Sequence, residues 1–170
     1  MIKSLAYPLL ALAVLASPAT AAPQAPHISV AGVNDLPQPL PFPYDEHVEA
    51  QAVVAKAKAQ AKREHKRLLI DLGANWCLDC RVLASIMELP ELHTFLNRHF
   101  VIVSVNIGRF DANGAIAAHY GITKLDGVPA ILAVDPVHDR LLNRDKLFAL
   151  SDARHMTPQG LADWLAQWAV

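Results

Sequence analysis

The sequence holds two cysteines, Cys77 and Cys80, separated by Leu78-Asp79 and placed just after a short apolar run, Leu68 to Leu72, that ends at Gly73. A run of that length, interrupted by one acid (Asp71), has the pattern of a buried central strand. After Cys77 the apolar residues Val82, Leu83 and Ile86 recur on one helical face as far as Pro90, so the cysteine pair sits where a strand hands over to a helix. In a helix beginning at or just before Cys77, its sulfur faces unpaired amide donors and the positive end of the helix dipole, which stabilise a thiolate. Cys80 follows by nearly one turn, within reach of the same sulfur. A bridge closing so short a loop removes little entropy from the unfolded chain. The pair is a poor staple and a good pair of reacting groups.

The rest of the pattern supplies the elements around this junction. Asp45 and Glu46 open an alanine-rich stretch that predicts a helix to about Arg67, with Val48, Ala52, Ala55 and Ala59 at helical spacing and a basic, solvated end. Pro90 starts a short helix carrying Leu92, Phe95 and Leu96, and the β-branched run Phe100 to Ile107 reads as a second buried strand. Ala112 to Tyr120 predicts a helix closed by Gly121, and Ala130 to Val134 a third strand turning at Asp135-Pro136. Arg140 to Leu150 suits a further strand or two near a sheet edge. Thr157 and Pro158 cap a last helix with Leu161, Trp164, Leu165 and Trp168 on one face. This order predicts an α/β fold in which a central mixed β-sheet is flanked by helices on both faces.

With 15 basic and 16 acidic residues the formal net charge is -1, and nothing in that balance asks for nucleic acid or an anionic membrane as partner. Lys3, the apolar run Leu5 to Leu15 and the A-x-A site Ala19-Thr20-Ala21 read as an export signal over residues 1–21, too short to span a bilayer. The expected location is therefore periplasmic or otherwise exported, with no stable membrane span after cleavage. Residues 22–44, rich in proline, are expected to form a poorly ordered arm, and residues 45–170 the domain. In an exported chain with only two cysteines, a redox pair is a better reading than a disulfide scaffold. Half a zinc site also has the C-x-x-C pattern, but it needs two further ligands, and the eight histidines are scattered along the chain. No metal and no cofactor are expected.

The segment Asp71-Leu72-Gly73-Ala74-Asn75-Trp76-Cys77-Leu78-Asp79-Cys80, followed far downstream by Gly127-Val128-Pro129, resembles the thioredoxin superfamily, and most closely the thioredoxin-like modules of periplasmic reductases of the DsbD type. The resemblance runs from about Leu68 to Val170. It implies a thioredoxin-like fold and a redox-active disulfide cycle in which Cys77 attacks and Cys80 resolves. It also implies a cis bond between Val128 and Pro129 that presents backbone to an extended substrate, with Asp71 as a buried proton partner of Cys80. Trp76 would stand beside the site, where it contacts partners or packs into the core. Protein thiols and disulfides are the implied substrates, and a membrane-bound electron donor is a candidate partner.

Two positions depart from the family pattern. Leu78-Asp79 replaces the usual Gly-Pro, and Ser104 stands where thioredoxin has a lysine near its buried acid. Asp79 is expected to oppose thiolate formation and to favour a reducing pair. The leading expectation is a periplasmic thiol-disulfide oxidoreductase that reduces protein disulfides. A metal-binding or metal-delivery module using the same thiols, and a disulfide oxidant or isomerase, are the alternatives.

Overall fold

The computed structural model describes residues 22–170; the expected export signal lies outside the described residues. Helix α1 (Ala50–Glu64) leads into strand β1 (Arg67–Gly73). Helices α2 (Leu78–Met87) and α3 (Pro90–His99) carry the chain back to β2 (Phe100–Asn106), followed by α4 (Gly114–His119), β3 (Ala130–Asp135), the two-residue β4 (Arg140–Leu141) and α5 (Pro158–Ala166). The sheet order is β2-β1-β3-β4. β1 pairs in parallel with β2 and antiparallel with β3, which in turn pairs antiparallel with β4.

β1 is central because both of its faces are apolar. Leu68, Ile70 and Leu72 pack with Val54, Ala57 and Ala61 of α1 and Ile116 and Ala117 of α4. Leu69 packs on the opposite side with Leu83 and Ile86 of α2, Leu92 and Leu96 of α3, and Leu161 and Leu165 of α5. The parallel β1–β2 pair requires a crossover, and α2 and α3 provide it. Pro90 occupies the first turn of α3, where its missing amide hydrogen breaks no helical bond.

Four local expectations are corrected. The first helix starts at Ala50 and ends at Glu64, because the Asp45 carboxylate accepts from the His47 amide at 2.8 Å in a local turn and His65 is left-handed (φ 54°). Its buried face is Ala50, Val54, Ala57 and Ala61, not the face of Ala52, Ala55 and Ala59; an alanine-rich helix offers almost no apolar contrast by which to choose. Beyond Leu141 the predicted strand gives way to 3-10 turns, including Arg144–Lys146. There the Asn143 side chain stands in for a strand, accepting from Ala133 N at 2.9 Å and donating to Ile131 O at 2.7 Å.

The fourth correction concerns the proline-rich segment, which is packed onto the domain. Ile28, Leu36 and Tyr44 are buried. Ile28 N donates to Gln159 Oε1 at 2.9 Å, and Ser29 donates to Glu91 through both its amide and its hydroxyl. Prolines lack amide donors, so this segment cannot join a ladder; domain side chains satisfy its carbonyls instead. Arg81 of α2 donates to the carbonyls of Leu40 (2.9 Å) and Pro41 (3.1 Å), and its guanidinium lies 3.9 Å from the centre of the Phe42 ring.

The Asn143 arrangement generates a stability prediction. Asn143→Ala leaves a buried amide and a buried carbonyl of β3 without partners, at about 1–3 kcal/mol for each unsatisfied group. Denaturant unfolding is expected to show a loss of about 2–4 kcal/mol at unchanged m-value, and a loss below about 0.5 kcal/mol would refute the stand-in role.

Candidate active site

β1 ends at Gly73, and a tight loop brings Cys77 to the N-cap of α2, where its sulfur accepts from the Cys80 amide at 3.2 Å. Both cysteines are free thiols and both are buried, Cys80 completely. The Cys77 sulfur also lies 3.6 Å from the Val128 carbonyl oxygen. A hydrogen bond from the Cys80 thiol, helped by the backbone amides of Cys80 and Asp79, holds the Cys77 pKa below the ordinary thiol value; burial and the Asp79 carboxylate oppose this. Cys80 shifts upward, chiefly because it donates to Cys77, then through burial and the nearby Asp71. One helix terminus thus yields an acidic outer thiol and a reluctant inner one.

Asp71 is 2 % exposed. Burial pushes its pKa up to about 7, against a hydrogen bond from Tyr44 that lowers it. The Tyr44 hydroxyl lies 2.9 Å from each carboxylate oxygen. On β2 the register partner of Asp71 is Ser104, so no cation reaches the carboxylate from that strand. Tyr44 enters from the proline-rich segment and is held by a reciprocal pair of bonds with Asn75: Tyr44 N to Asn75 Oδ1 at 3.1 Å, and Asn75 Nδ2 to Tyr44 O at 2.8 Å. Gly73 is needed here for close approach, since a Cβ would collide with the Tyr44 hydroxyl and lie 2.9 Å from the Cys80 sulfur.

Asp79 is buried, yet it is not left as a bare charge beside the sulfurs. Arg154 donates to it from its backbone amide (2.9 Å), Nε (3.1 Å) and Nη2 (2.7 Å). The fork pins α2 to the 3-10 turn Ala153–His155 and offsets the negative charge. The expected opposition of Asp79 to the thiolate is present but outweighed, since Cys77 shifts downward overall.

Around the outer sulfur the surface is apolar and open. Trp76, Leu78 and Phe110 are exposed, Trp76 by 49 %. Trp76 is fixed rather than core-packed: its Nε1 donates to Gly108 O at 2.8 Å, its ring centre stands 6.1 Å from that of Phe110, and Arg109 lies over its face. Phe110 adopts a left-handed φ of 68°, a strained conformation for an aromatic residue. The Val128–Pro129 bond is cis. The residues singled out in the sequence therefore form three layers: Trp76 exposed at the surface, Cys77 buried with Val128 and Pro129, and Cys80 and Asp71 almost completely enclosed.

The family described as thioredoxin-like matches residues 49–136. A crystal structure of a disulphide isomerase from Xylella fastidiosa Temecula1 is 38% identical, covers 75% of this chain and 97% of its own, and superposes with a TM-score of 0.70. The chain belongs to the thioredoxin-like family. A protein of unknown function from Pseudomonas aeruginosa (17% identity, 72% of this chain and 86% of that one, TM-score 0.36) and an HIV epitope-scaffold (16%, 71% and 84%, 0.37) are more distant likenesses. No curated protein matches the chain. Among the described residues no group of three or more His, Cys, Asp or Glu is placed to hold a metal ion, and no helix is long and apolar enough to cross a membrane.

Sequence reasoning missed Tyr44, Asn75 and Arg154 in this thioredoxin-like site. The one signal for Tyr44 was its place as a large aromatic closing a Pro-Phe-Pro run, in a segment otherwise poor in residues worth burying.

Two predictions follow from the charges here. Because the folded state holds the Asp71 proton up to about pH 7, against an ordinary carboxyl value of 3.8, it binds more protons than the unfolded state between those values, and stability falls as pH rises through that window. Urea midpoints from pH 4 to 8 are expected to show this fall in the wild type and not in Asp71→Asn; parallel curves would contradict it. Arg154→Gln is expected to expose Cys77 to the Asp79 charge, slowing iodoacetamide alkylation at pH 7 by about threefold to tenfold and making the pair more reducing. An unchanged rate would show that Arg154 only anchors the turn.

Proposed function

We propose that this thioredoxin-like protein is an exported, periplasmic thiol-disulfide oxidoreductase that reduces protein disulfides. The observation that carries the reading is the stacking of an acidic Cys77 at the α2 terminus over a fully buried Cys80 with a carboxylate beside it. The Cys77 thiolate attacks one sulfur of a substrate disulfide, forming a mixed disulfide and releasing the other sulfur as a thiolate. Cys80 loses its proton and attacks the Cys77 sulfur; the second substrate thiolate leaves, and Cys77–Cys80 is oxidised by two electrons. A dithiol donor, membrane-bound in this reading, restores the pair by the reverse exchange.

The surface opening fits an extended substrate segment. Trp76, Leu78 and Phe110 offer apolar contact, and the Val128 carbonyl beside cis-Pro129 offers a backbone acceptor next to the attacking sulfur. Reducing direction is supported by the provision for Cys80: a resolving thiol with its own proton acceptor releases substrate in the reduced form quickly. Export is supported by Lys3, the apolar run Leu5 to Leu15 and Ala19-Thr20-Ala21. Similarity to the Xylella disulphide isomerase favours a second reading, isomerisation, in which Cys77 engages and leaves before Cys80 acts.

Cysteine variants test the exchange. Cys77→Ser is expected to abolish reduction of a protein disulfide, and Cys80→Ser to accumulate a mixed disulfide through Cys77; full turnover by both variants would sink the proposal. With a scrambled-disulfide substrate, retention of reshuffling by Cys80→Ser alongside lost net reduction separates isomerisation from reduction.

A further inference from the structure

The buried acid of this site lacks a cation from β2 and has a tyrosine instead, delivered from a segment outside the α/β elements. Tyr44 is 1 % exposed and gives its one donor to both Asp71 oxygens, at 2.9 Å each. Its hydroxyl and the Cys80 sulfur converge on the space that a Cβ of Gly73 would fill. Asn75, two residues before Cys77, clamps the Tyr44 backbone from both sides, and Arg81, one residue after Cys80, holds the carbonyls of Leu40 and Pro41. The contacts that seat Tyr44 therefore come from the loop and helix that carry the cysteines. On its other side Asp71 borders a pocket of about 200 Å³, whose lining includes Pro43, Ser104, Glu88 and His93.

Resting on the dithiol exchange proposed above, we propose that Tyr44 is a positioning residue for its resolving half: it orients Asp71 toward Cys80 and favours the ionised carboxylate that takes the Cys80 proton. In that step the Cys80 S–H bond breaks and an O–H bond forms on Asp71. The Cys80 electron pair makes the new bond to Cys77, and the substrate sulfur leaves with the pair of the broken mixed disulfide. Tyr44 keeps its own proton throughout. The proton on Asp71 then leaves through the pocket that Asp71 and Ser104 both line. The groups facing Asp71 are Tyr44 from the proline-rich segment, Cys80 from α2 and Ser104 from β2, with Glu88 and His93 in the pocket wall. None of these supplies a fixed positive charge at the carboxylate, so the Tyr44 hydroxyl is the group that favours its ionised form.

The test is Tyr44→Phe in the full chain, followed by the pH dependence of each half-reaction under single-turnover conditions. Loss of this hydrogen bond to a charged group is expected to move the alkaline-rising limb of the resolving step up by about one to two pH units and to slow that step about tenfold at pH 7. Formation of the mixed disulfide by Cys77 should change less than about twofold, since it does not use Asp71. In an Asp71→Asn background, Tyr44→Phe should produce no further shift, because the two act through one group. Arg81→Ala, which loosens the segment while leaving the ring intact, should move the limb in the same direction and serves if Tyr44→Phe unfolds. An unmoved limb in folded Tyr44→Phe, or an equal shift in the Asp71→Asn background, overturns the inference. Failure of Cys80→Ser to trap any mixed disulfide would instead defeat the underlying dithiol exchange.

Discussion

A carboxylate in the middle of a central strand is the constraint around which this structure is arranged. Asp71 lies between Leu72 and Ile70 on β1, with neighbours in register on both sides, and an ionised acid there is strongly disfavoured unless it is hydrogen-bonded. The fold answers with one donor, the Tyr44 hydroxyl, and with a glycine at Gly73 that leaves room for it. The compensation is partial: burial still dominates and holds the pKa near 7. A group poised near neutrality can both accept and return a proton, which a fully neutralised ion pair could not do at that pH.

The second buried acid shows the contrast. Asp79 has three donors from Arg154, two of them on the guanidinium, and so behaves as a pinned structural charge. Its neighbour in space, Cys77, is left to the helix terminus and to the Cys80 thiol. Two aspartates eight positions apart on one strand–loop–helix unit thus take different parts because one meets a guanidinium and the other a phenol. Residue type did not decide this; the donor did.

That distinction explains which parts of the molecule were readable in the sequence. β1, β2, β3, α2, α3 and α5 carry strong apolar periodicity and unambiguous punctuation at Gly73, Pro90 and Thr157-Pro158, so their existence and order were legible, and with them the strand-to-helix placement of Cys77. The buried face of α1 was not, since alanines on every side leave no contrast to read. Nor was the end of the sheet after Leu141, where a side-chain amide from Asn143 imitates a strand. The partners of the two aspartates were hidden for a more general reason: Tyr44 lies 27 positions from Asp71 and Arg154 lies 75 from Asp79, and pairings at such separations follow from packing that no local pattern encodes.

The proline-rich segment is likewise defined by the groups that bind it. Composition marks it as a linker, since prolines deny it a place in helix or ladder. Yet a segment without amide donors still carries carbonyls and side chains, and here Arg81, Asn75 and Gln159 bind it through those groups. Proline restricts the segment before it docks, so less conformational entropy is lost when it is fixed against the domain. A segment stiffened in this way is well suited to hold a single tyrosine at a fixed height above β1. The working unit of the site therefore begins before the first helix, and a chain cut at residue 45 would keep both cysteines and the whole sheet while losing the only hydrogen bond that its buried carboxylate makes among the described residues.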